Sequence, residues 1–284
     1  MAHGQLISEW NFTKRYRKKN MNCDKVIDYI VNWLDSYCEQ SGLMGFVVGV
    51  SGGIDSAVTS TLCARTGRKV LPLNMPIYQD KNQLIRSSQH IAWLEKSFDN
   101  VSGSHIDLTS SFRALEETLP REIQDGLTMA NTRSRLRMVT LYALATHHRM
   151  LVAGTGNKVE DFGVGFYTKY GDGGVDISPI ADLMKSEVYA IASALGIIED
   201  ILSAPPTDGL WEDNRTDESQ IGASYEELEW AMEHADVPAD DKWTHRQHEV
   251  LSIYRRFNQA NRHKMDPIPV LKIPDDIKNW RRTY

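Results

Sequence analysis

Two patterns of hydrophobic and polar residues alternate along the chain. Apolar runs rich in β-branched residues have the length of buried strands, whereas longer segments repeat their apolar residues at helical spacing. The strand candidates are Phe46–Val50, Lys69–Pro76, Ser104–Leu108 and Met150–Gly154, with prolines marking the end of the second strand or an edge of the sheet. This alternation predicts an α/β fold with a mainly parallel β-sheet and helices on both faces, whose ligands gather at the carboxyl ends of the strands.

The helical pattern is clearest where start or stop signals accompany it. Met21–Gln40 carries apolar residues on one face and stops before a Ser-Gly pair, and Ser224 with Glu227 forms a capping box at the start of a later helix. The other predicted helices are one from Ala57 onward, Asp80–Lys96, Ser110–Asp125, Met129–His148, Leu183–Leu195 and Trp243–Arg262. The glycine-rich stretch Lys158–Pro179 has little periodicity, and such a long irregular stretch in a compact domain is usually functional.

The two ends of the chain depart from this pattern. Residues 1–20 are polar and close on a basic cluster, whereas residues 265–284 contain three prolines and predict an extended or irregular tail. We therefore expect residues 21–264 to form one domain. The basic cluster is typical of a solvated or subunit-contacting tail, with a bound substrate phosphate as the alternative.

Composition and charge limit the classes of partner. The chain has 284 residues, 41% of them hydrophobic and 25% charged, with a net charge of −6 and an isoelectric point near 5.9. This acidic balance does not favour nucleic acid or an anionic membrane, and it fits a phosphorylated small molecule. No membrane-length apolar run or signal-peptide pattern is present, and Cys23, Cys38 and Cys63 lack paired spacing. We expect a cytoplasmic globular protein with reduced thiols, in which Cys63 is a small buried residue rather than a nucleophile.

One glycine-rich segment carries the strongest chemical signal. Gly49-Val50-Ser51-Gly52-Gly53-Ile54-Asp55-Ser56 follows the first strand and precedes a helix. Such a loop turns successive backbone N–H groups and a helix N-terminus toward one point, and its paired glycines let a phosphate approach the main chain. Asp55 would place a carboxylate beside phosphates, which makes sense when a divalent cation lies between them. The segment predicts a triphosphate site with its own metal ligand.

This phosphate loop differs from the two commonest nucleotide loops. G-x-x-x-x-G-K-[ST] is absent, and the nearest approach to G-x-G-x-x-G, which begins at Gly154, lacks the third glycine. The loop resembles instead the Ser-Gly-Gly-x-Asp-Ser loop of the N-type ATP pyrophosphatases, enzymes that cleave ATP between the α- and β-phosphates to adenylate a substrate.

Further blocks narrow the resemblance to the NAD synthetase family, whose members have a Rossmann-like, adenine-nucleotide α-hydrolase-like fold. In chain order the blocks are Asn131-x-x-x-Arg135-x-Arg137, Gly154-Thr155 with Glu160, Thr168–Gly174 with Asp176, Lys185, Pro206-Thr207 and His263-Lys264. With the phosphate loop they cover most of the chain. One departure is visible. Many ammonia-dependent bacterial members continue Gly-Thr-Asp-His where this chain has Gly-Thr-Gly-Asn-Lys, which leaves the alignment between Glu160 and Lys169 open by about a residue.

The resemblance implies roles for single residues. The implied ATP-binding residues are Gly49, Val50, Ser51, Gly52, Gly53, Ile54, Asp55, Ser56, Thr155, Lys185 and Thr207, and the implied magnesium ligands are Asp55 and Glu160. The implied deamido-NAD-binding residues are Arg135, Lys169, Asp176, His263 and Lys264. The implied catalytic residues are Lys185 and Asp172, of which Asp172 would hold or deprotonate ammonium.

The implied reaction is the ATP-dependent amidation of deamido-NAD to NAD with ammonia, through an acyl adenylate and with release of AMP and pyrophosphate. A carboxylate is a poor electrophile, so it must first be adenylated, and the meeting of two polyanions requires cations such as magnesium and Lys185. Ammonium has no lone pair for attack, so a carboxylate such as Asp172 could bind it and take its proton.

The resemblance also bears on partners. The 48 residues before the phosphate loop are too few for a glutamine-hydrolysing domain, so free ammonia is the expected nitrogen source, while a separate glutaminase subunit stays open. The family is dimeric, with deamido-NAD near the subunit interface. This implies a homodimer, with the Met21–Gln40 and Met129–His148 helices as candidates for the interface.

Plainer interpretations stay open for several charged or polar residues. Arg133, Arg135 and Arg137 fit one solvent-facing helix stripe, Lys185 and Glu160 taken alone fit surface charges, His263 fits a helix C-terminal cap, and Thr207 fits a turn.

For the function of the whole chain, the alternatives are another adenylating amidotransferase subunit such as the synthetase part of a GMP synthetase, a tRNA-thiolating enzyme, and a non-catalytic adenine-nucleotide sensor. The Thr168–Gly174 block argues against the first. The acidic composition and absence of a reactive-cysteine pattern argue against the second, and the combination of Asp55, Glu160 and Lys185 argues against the third.

Overall fold

A four-stranded parallel β-sheet forms the centre of the computed structural model, which describes residues 21–207, 216–238, 240 and 242–278. The strands are β1 (Gly45–Gly49), β2 (Lys69–Asn74), β3 (Ser104–His105) and β4 (Leu151–Val152), in the spatial order β3-β2-β1-β4. Every pairing between neighbouring strands is parallel. The prediction for residues 1–20 lies outside the described residues, as does the end of the predicted tail.

Helices connect and cover these strands. The α-helices among the described residues are α1 (Cys23–Gln40), α2 (Ile54–Arg65), α3 (Lys81–Ser97), α4 (Thr109–Thr118), α5 (Gly126–His148), α6 (Lys185–Leu195), α7 (Glu199–Leu202), α8 (Asp217–Ile221), α9 (Tyr225–His234), α10 (His245–Met265) and α11 (Asp275–Lys278). A 3₁₀ turn covers Arg121–Ile123, and a π-helix covers Val159–Val164. None of the helices in this described part of the chain is long and apolar enough to cross a membrane.

The central strand β1 shows why helices cover both faces. Successive side chains of a strand point to opposite faces, and Phe46, Val47 and Val48 are all fully buried. Phe46 and Val48 pack into a core with α1, α2 and α6, whereas Val47 packs into a second core with α4 and α5. A third apolar cluster joins the π-helix to α9 and α10 beside the sheet. The predicted α/β fold is therefore confirmed.

Several predicted elements differ from the structure. Pro72 lies inside β2 opposite Val48, and neighbouring β3 begins its pairing only at Leu73, so regular pairing on that side starts after the proline. The predicted helix over residues 110–125 is wrong as one element, because Pro120 separates α4 from the 3₁₀ turn. The irregular stretch after β4 contains the π-helix, and the C-terminal tail contains the short α11.

The cysteines agree with the sequence prediction. All three are free thiols in the structure, and Cys38 and Cys63 are buried among apolar residues. Burial raises the pKa of the Cys63 thiol far above its usual value, which keeps it protonated and unreactive. Cys63 is therefore a core residue.

Candidate active site

A cleft opens where β1, β2 and β4 end. The whole phosphate loop lines it, together with residues that follow β2 and β4 and residues from α3, α5 and α6. Of the residues predicted for ATP, metal or catalysis, every one lines this cleft: Gly49, Val50, Ser51, Gly52, Gly53, Ile54, Asp55, Ser56, Thr155, Glu160, Asp172, Lys185 and Thr207. Open parallel sheets bind their ligands at such a carboxyl edge.

The phosphate loop is held in shape by its own hydrogen bonds. Ser56 Oγ donates to the Gly53 carbonyl at 2.9 Å and accepts from the backbone N–H of Ser51 at 3.2 Å. Gly53 is the N-cap of α2, and no side-chain hydrogen bond caps this helix end. Gly52 has φ +87°, and a Cβ atom there would lie 2.5 Å from the Gln83 carbonyl oxygen of α3. The loop therefore needs glycine at this position, and it presents the N-terminus of α2 to the cleft.

Lys185 is the cationic centre of the cleft. It is the first residue of α6 and only 2% exposed, and its Nζ lies 2.5 Å from Asp55 Oδ2 and 3.0 Å from Glu160 Oε1. Burial by itself would lower the pKa of Lys185, but the two carboxylates outweigh it and hold that pKa well above its usual value. Lys185 is therefore protonated, and the interpretation of Lys185 and Glu160 as solvated surface charges is wrong.

Asn157 joins the carboxylate of Asp55 to the backbone segment that carries Glu160. Its Nδ2 donates to Asp55 Oδ1 at 3.1 Å, while its Oδ1 accepts the backbone N–H groups of Val159 and Glu160 at 3.1 and 3.2 Å. Asn157 belongs to the Gly-Thr-Gly-Asn-Lys variant that left the position of Glu160 open. In this structure that variant starts the π-helix and brings Glu160 to Lys185 and Asp55.

Tyr225 completes the surroundings of Glu160, and sequence reasoning missed it. Its hydroxyl donates to Glu160 Oε1 at 2.5 Å and lies 3.1 Å from Asp217 Oδ2, while Lys185 Nζ lies 4.7 Å from the centre of its ring. Tyr225 is fully buried at the start of α9. The capping box Ser224–Glu227 located this helix end in the sequence, but no local signal connected it with a residue 65 positions earlier.

Asp55 and Glu160 have the donor atoms that a magnesium ion prefers. Both offer carboxylate oxygens, and both reach the same cation, Lys185 Nζ, so their charges converge on one point of the cleft. The described residues contain no group of three or more His, Cys, Asp or Glu side chains placed to hold a metal. Magnesium is commonly bound by one or two carboxylates with water and substrate phosphates, so this pair fits the ion when ATP supplies further oxygens.

Asp172 is a second carboxylate in the cleft with its own set of donors. Its Oδ1 accepts from Ser134 Oγ at 2.7 Å and from the Thr168 backbone N–H at 3.0 Å, and its own backbone N–H donates to Ser134 Oγ at 2.8 Å. Desolvation of its carboxyl group raises the pKa of Asp172 above its usual value, against the effect of these hydrogen bonds, although the residue as a whole is exposed. A carboxylate with a raised pKa holds a proton more readily than an ordinary aspartate, which suits a residue that has to accept one.

The five residues predicted for deamido-NAD do not line the cleft in this structure. Four of them join the loop around residues 165–172 to the end of α10: Arg135 donates to the Lys169 carbonyl at 3.3 Å, Lys169 donates to the His263 carbonyl, and Lys264 donates to the Gly165 and Tyr167 carbonyls at 2.9 Å each. Asp176 accepts from the Val152 N–H at 2.8 Å and from Tyr142 Oη at 3.0 Å. The loop that these first four residues hold also carries Phe166 and Asp172, which line the cleft, and His263 lies in the last turn of α10.

The arginines of α5 do not form one solvent-facing stripe. Arg137 lines the cleft, where Nε donates to the Met75 carbonyl at 3.0 Å and Nη2 donates to Gln79 Oε1 at 2.9 Å. Arg133 lies over the Phe112 ring at 5.5 Å, and Arg135 is exposed. A further arginine missed by sequence reasoning, Arg86 of α3, also lines the cleft and donates from Nε to the Gly52 carbonyl at 3.2 Å.

Comparison with known proteins identifies relatives of this chain. A curated relative from Alkaliphilus metalliredigens, an NH(3)-dependent NAD(+) synthetase, is 38% identical over 250 residues, which cover 86% of this chain and 97% of that protein. The solved NMN synthetase of Francisella tularensis superposes with a TM-score of 0.78 at 28% identity, covering 89% of this chain and all of that one. The NH3-dependent NAD synthetase of Campylobacter jejuni superposes with a TM-score of 0.71 at 25% identity over the same share of this chain. The family model described as NAD synthase matches residues 26–267, and the chain belongs to the NAD synthase family.

Proposed function

We propose that this chain is an ammonia-dependent NAD synthetase. It adenylates the nicotinate carboxylate of deamido-NAD with ATP and then transfers ammonia to the acyl carbon, releasing NAD, AMP and pyrophosphate. The observation that supports this most directly is the meeting of Asp55, Glu160 and Lys185 beside the phosphate loop. Simple nucleotide binding has no need of a buried lysine held by two carboxylates at the place where phosphates bind.

The first half-reaction uses the phosphate-loop side of the cleft. The backbone N–H groups of the loop and the N-terminus of α2 bind the ATP phosphates, since both present partial positive charge. Asp55 and Glu160 hold magnesium, which when bound neutralises phosphate charge and orients the triphosphate. Lys185 offsets the charge that develops as the bond between the α-phosphorus and the pyrophosphate oxygen breaks.

The second half-reaction uses Asp172. Ser134 and the Thr168 N–H engage its Oδ1, which fixes the carboxylate in the cleft. Asp172 binds ammonium and takes one proton from it, so that the nitrogen lone pair can attack the acyl carbon and displace AMP. The raised pKa of Asp172 favours this proton transfer.

The surface around Arg135, Lys169 and Lys264 binds the deamido-NAD substrate, with Asp176 and His263 nearby. Two features support this: the cations are clustered beside the cleft, and the substrate is a dinucleotide with two phosphates. We further propose that residues 21–264 act as one domain in a homodimer that completes this surface. The free thiols are in keeping with a reducing, cytoplasmic location.

A second candidate is NMN synthesis by amidation of nicotinate mononucleotide. It is favoured by one specific observation, the likeness to the NMN synthetase of Francisella tularensis over 89% of this chain. Both substrates carry the same nicotinate carboxylate, so the cleft chemistry is shared. They differ in the adenylate half of the dinucleotide, which only the first activity has to accommodate.

One assay separates these activities. The purified chain is given ATP, magnesium and ammonium with either deamido-NAD or nicotinate mononucleotide, and NAD, NMN, AMP and pyrophosphate are quantified. NAD and AMP in equal amounts support the proposal, whereas a higher kcat/KM with the mononucleotide replaces it with NMN synthesis. Glutamine in place of ammonium, with and without a glutaminase, tests the nitrogen source. Absence of ATP cleavage with either acid overturns both candidates.

A further inference from the structure

Three cationic side chains line the cleft among the described residues: Arg86, Arg137 and Lys185. Two of them already have acceptors there. Lys185 is bound by two carboxylates, and Arg137 donates to the Met75 carbonyl and to Gln79. ATP brings several negative charges into a cleft that four acidic residues also line: Asp55, Glu160, Asp172 and Asp217. The third cation, Arg86, is therefore important for the charge balance of the bound triphosphate.

Arg86 is held directly against the phosphate loop. Its Nε donates to the Gly52 carbonyl at 3.2 Å, and its Cβ lies 3.4 Å from the position that a Gly52 Cβ would occupy. This single bond fixes the plane of the guanidinium through Nε. Within the described part of the chain, the Nη1 and Nη2 groups of Arg86 have no hydrogen-bond acceptor, so they are available to a ligand in the cleft.

We propose that Arg86 is a further catalytic residue, which binds the β- and γ-phosphates of ATP and the departing pyrophosphate. A guanidinium presents its N–H groups as a planar fork that matches phosphate oxygens, and fixing it through Nε reduces the entropy lost on binding. In the adenylation step the carboxylate oxygen bonds to the α-phosphorus, and the electron pair of the broken bond leaves with pyrophosphate. Arg86 stabilises that added charge without transferring a proton. This inference rests on the proposed use of ATP.

The test compares two ligands that represent different phosphates of ATP. Pyrophosphate represents the β- and γ-phosphates, and AMP carries the α-phosphate. Binding of magnesium pyrophosphate and of AMP is measured by calorimetry on the wild-type chain, Arg86→Gln and Arg86→Lys. A charge-assisted hydrogen bond contributes about 1.5–3 kcal/mol, so we expect Arg86→Gln to weaken pyrophosphate binding by roughly 10- to 100-fold. AMP binding should change by less than about 2-fold, and Arg86→Lys, which keeps the charge but loses the fork, should fall between.

Arg65→Gln is the matched control, because Arg65 is exposed in the last turn of α2, at the far end from the phosphate loop. Thermal unfolding of each variant checks that it is folded. Equal weakening of pyrophosphate and AMP would mean that Arg86 only supports the Gly52 carbonyl, and this overturns the inference. Unchanged pyrophosphate binding in an active Arg86→Gln variant overturns the inference about Arg86 and leaves the proposed function standing. A wild-type chain that binds neither ATP nor pyrophosphate overturns both.

Discussion

At the scale of single residues, the ion pairs of Lys185 decide the electrostatics of the cleft. Taking an ammonium group out of water costs several kcal/mol, and a buried pair compensates for this only when its geometry is good and its remaining polar atoms are satisfied. Asp55, Glu160, Asn157 and Tyr225 supply these contacts through four separate hydrogen bonds. The arrangement keeps two carboxylates and one cation together before any substrate binds.

Asp55→Asn tests the metal assignment. The amide keeps the shape of the side chain but removes its charge. Lys185 then keeps one of its two ion pairs, the one with Glu160, and the proposed magnesium site loses one of its two carboxylates. By analogy with the loss of one transition-state charge partner, we expect turnover to fall by about 10²- to 10³-fold, measured as pyrophosphate release. Asp182→Asn is the control, since Asp182 is 95% exposed and paired with Lys158 on the surface. Wild-type turnover in Asp55→Asn would show that the assignment is wrong.

Tyr225→Phe tests whether Tyr225 positions Glu160. Phenylalanine keeps the ring beside Lys185 Nζ and removes the hydroxyl that donates to Glu160. Hydrogen bonds to charged groups contribute about 1.5–3 kcal/mol, so we expect the magnesium concentration needed for half-maximal ATP binding to rise roughly 10-fold or more. Calorimetric ATP titrations at several magnesium concentrations, without deamido-NAD, measure this directly.

Tyr254→Phe is the matched control for this experiment, because Tyr254 is buried in the same apolar cluster as Tyr225. If both variants lose ATP affinity equally at every magnesium concentration, the effect of Tyr225 is on packing and the positioning role is refuted. A magnesium-dependent difference between them supports that role.

At the scale of elements, the contact between the phosphate loop and α3 sets the loop conformation. Gly52→Ala would require a positive φ in a residue with a side chain and would place Cβ 2.5 Å from the Gln83 carbonyl oxygen. Gly67→Ala is a close control, because Gly67 also has a positive φ, +75°, but has nothing within 4 Å of its added Cβ. We expect Gly67→Ala to lower the free energy of unfolding by about 1 kcal/mol from backbone strain alone. Gly52→Ala should cost more and should abolish ATP binding, as measured by urea unfolding and calorimetry; equal costs and retained ATP binding would contradict this.

The bounds of the helices and strands show how much of the fold could be predicted from the sequence. Long periodic segments were predicted correctly within a few residues, as for α1 and α3, and the capping box marked the start of α9. Their signals are local, since an apolar face and a cap lie within one helix. The predicted strand Ser104–Leu108 shortens to two residues, and the strand predicted over Lys69–Pro76 ends at Asn74 and lies inside the sheet rather than at its edge. Strand limits depend on pairing with other segments, which no local pattern records.

At the scale of the whole molecule, the site is assembled from residues distant in the sequence. Lys185 and Asp55 are 130 positions apart, and Tyr225 and Glu160 are 65 apart. Resemblance to a family located the residues predicted for ATP, metal and catalysis, all of which line the cleft, because these residues lie in sequence motifs of that family. The roles of Asn157 and Tyr225, and the role proposed for Arg86, were missed, because they arise from contacts across the fold and no local pattern indicates them.

The pH dependence of stability follows from another contact across the fold. His90 of α3 is fully buried against α2, where Nε2 lies 3.0 Å from Ser60 Oγ, and its ring stacks on Trp93. Burial lowers the pKa of His90 from 6.5 to about 4. Between these values the unfolded chain binds a proton at this histidine that the folded chain does not. The part of the unfolding free energy that His90 contributes is therefore fully present above pH 6.5 and is lost as the pH falls toward 4. The difference corresponds to on the order of 3 kcal/mol of unfolding free energy.

His90→Gln should remove that part of the acid sensitivity. Glutamine keeps a polar group near Ser60 but does not titrate, so we expect the variant to lose less unfolding free energy than the wild-type chain between pH 7 and pH 4, whatever its stability at pH 7. Urea unfolding at half-unit pH intervals measures the two slopes. His105→Gln is the matched control, because it makes the same substitution at an exposed residue, at the end of β3. Parallel slopes for His90→Gln and the wild-type chain would mean that acid sensitivity arises elsewhere, with the carboxylates of the cleft as the next groups to replace.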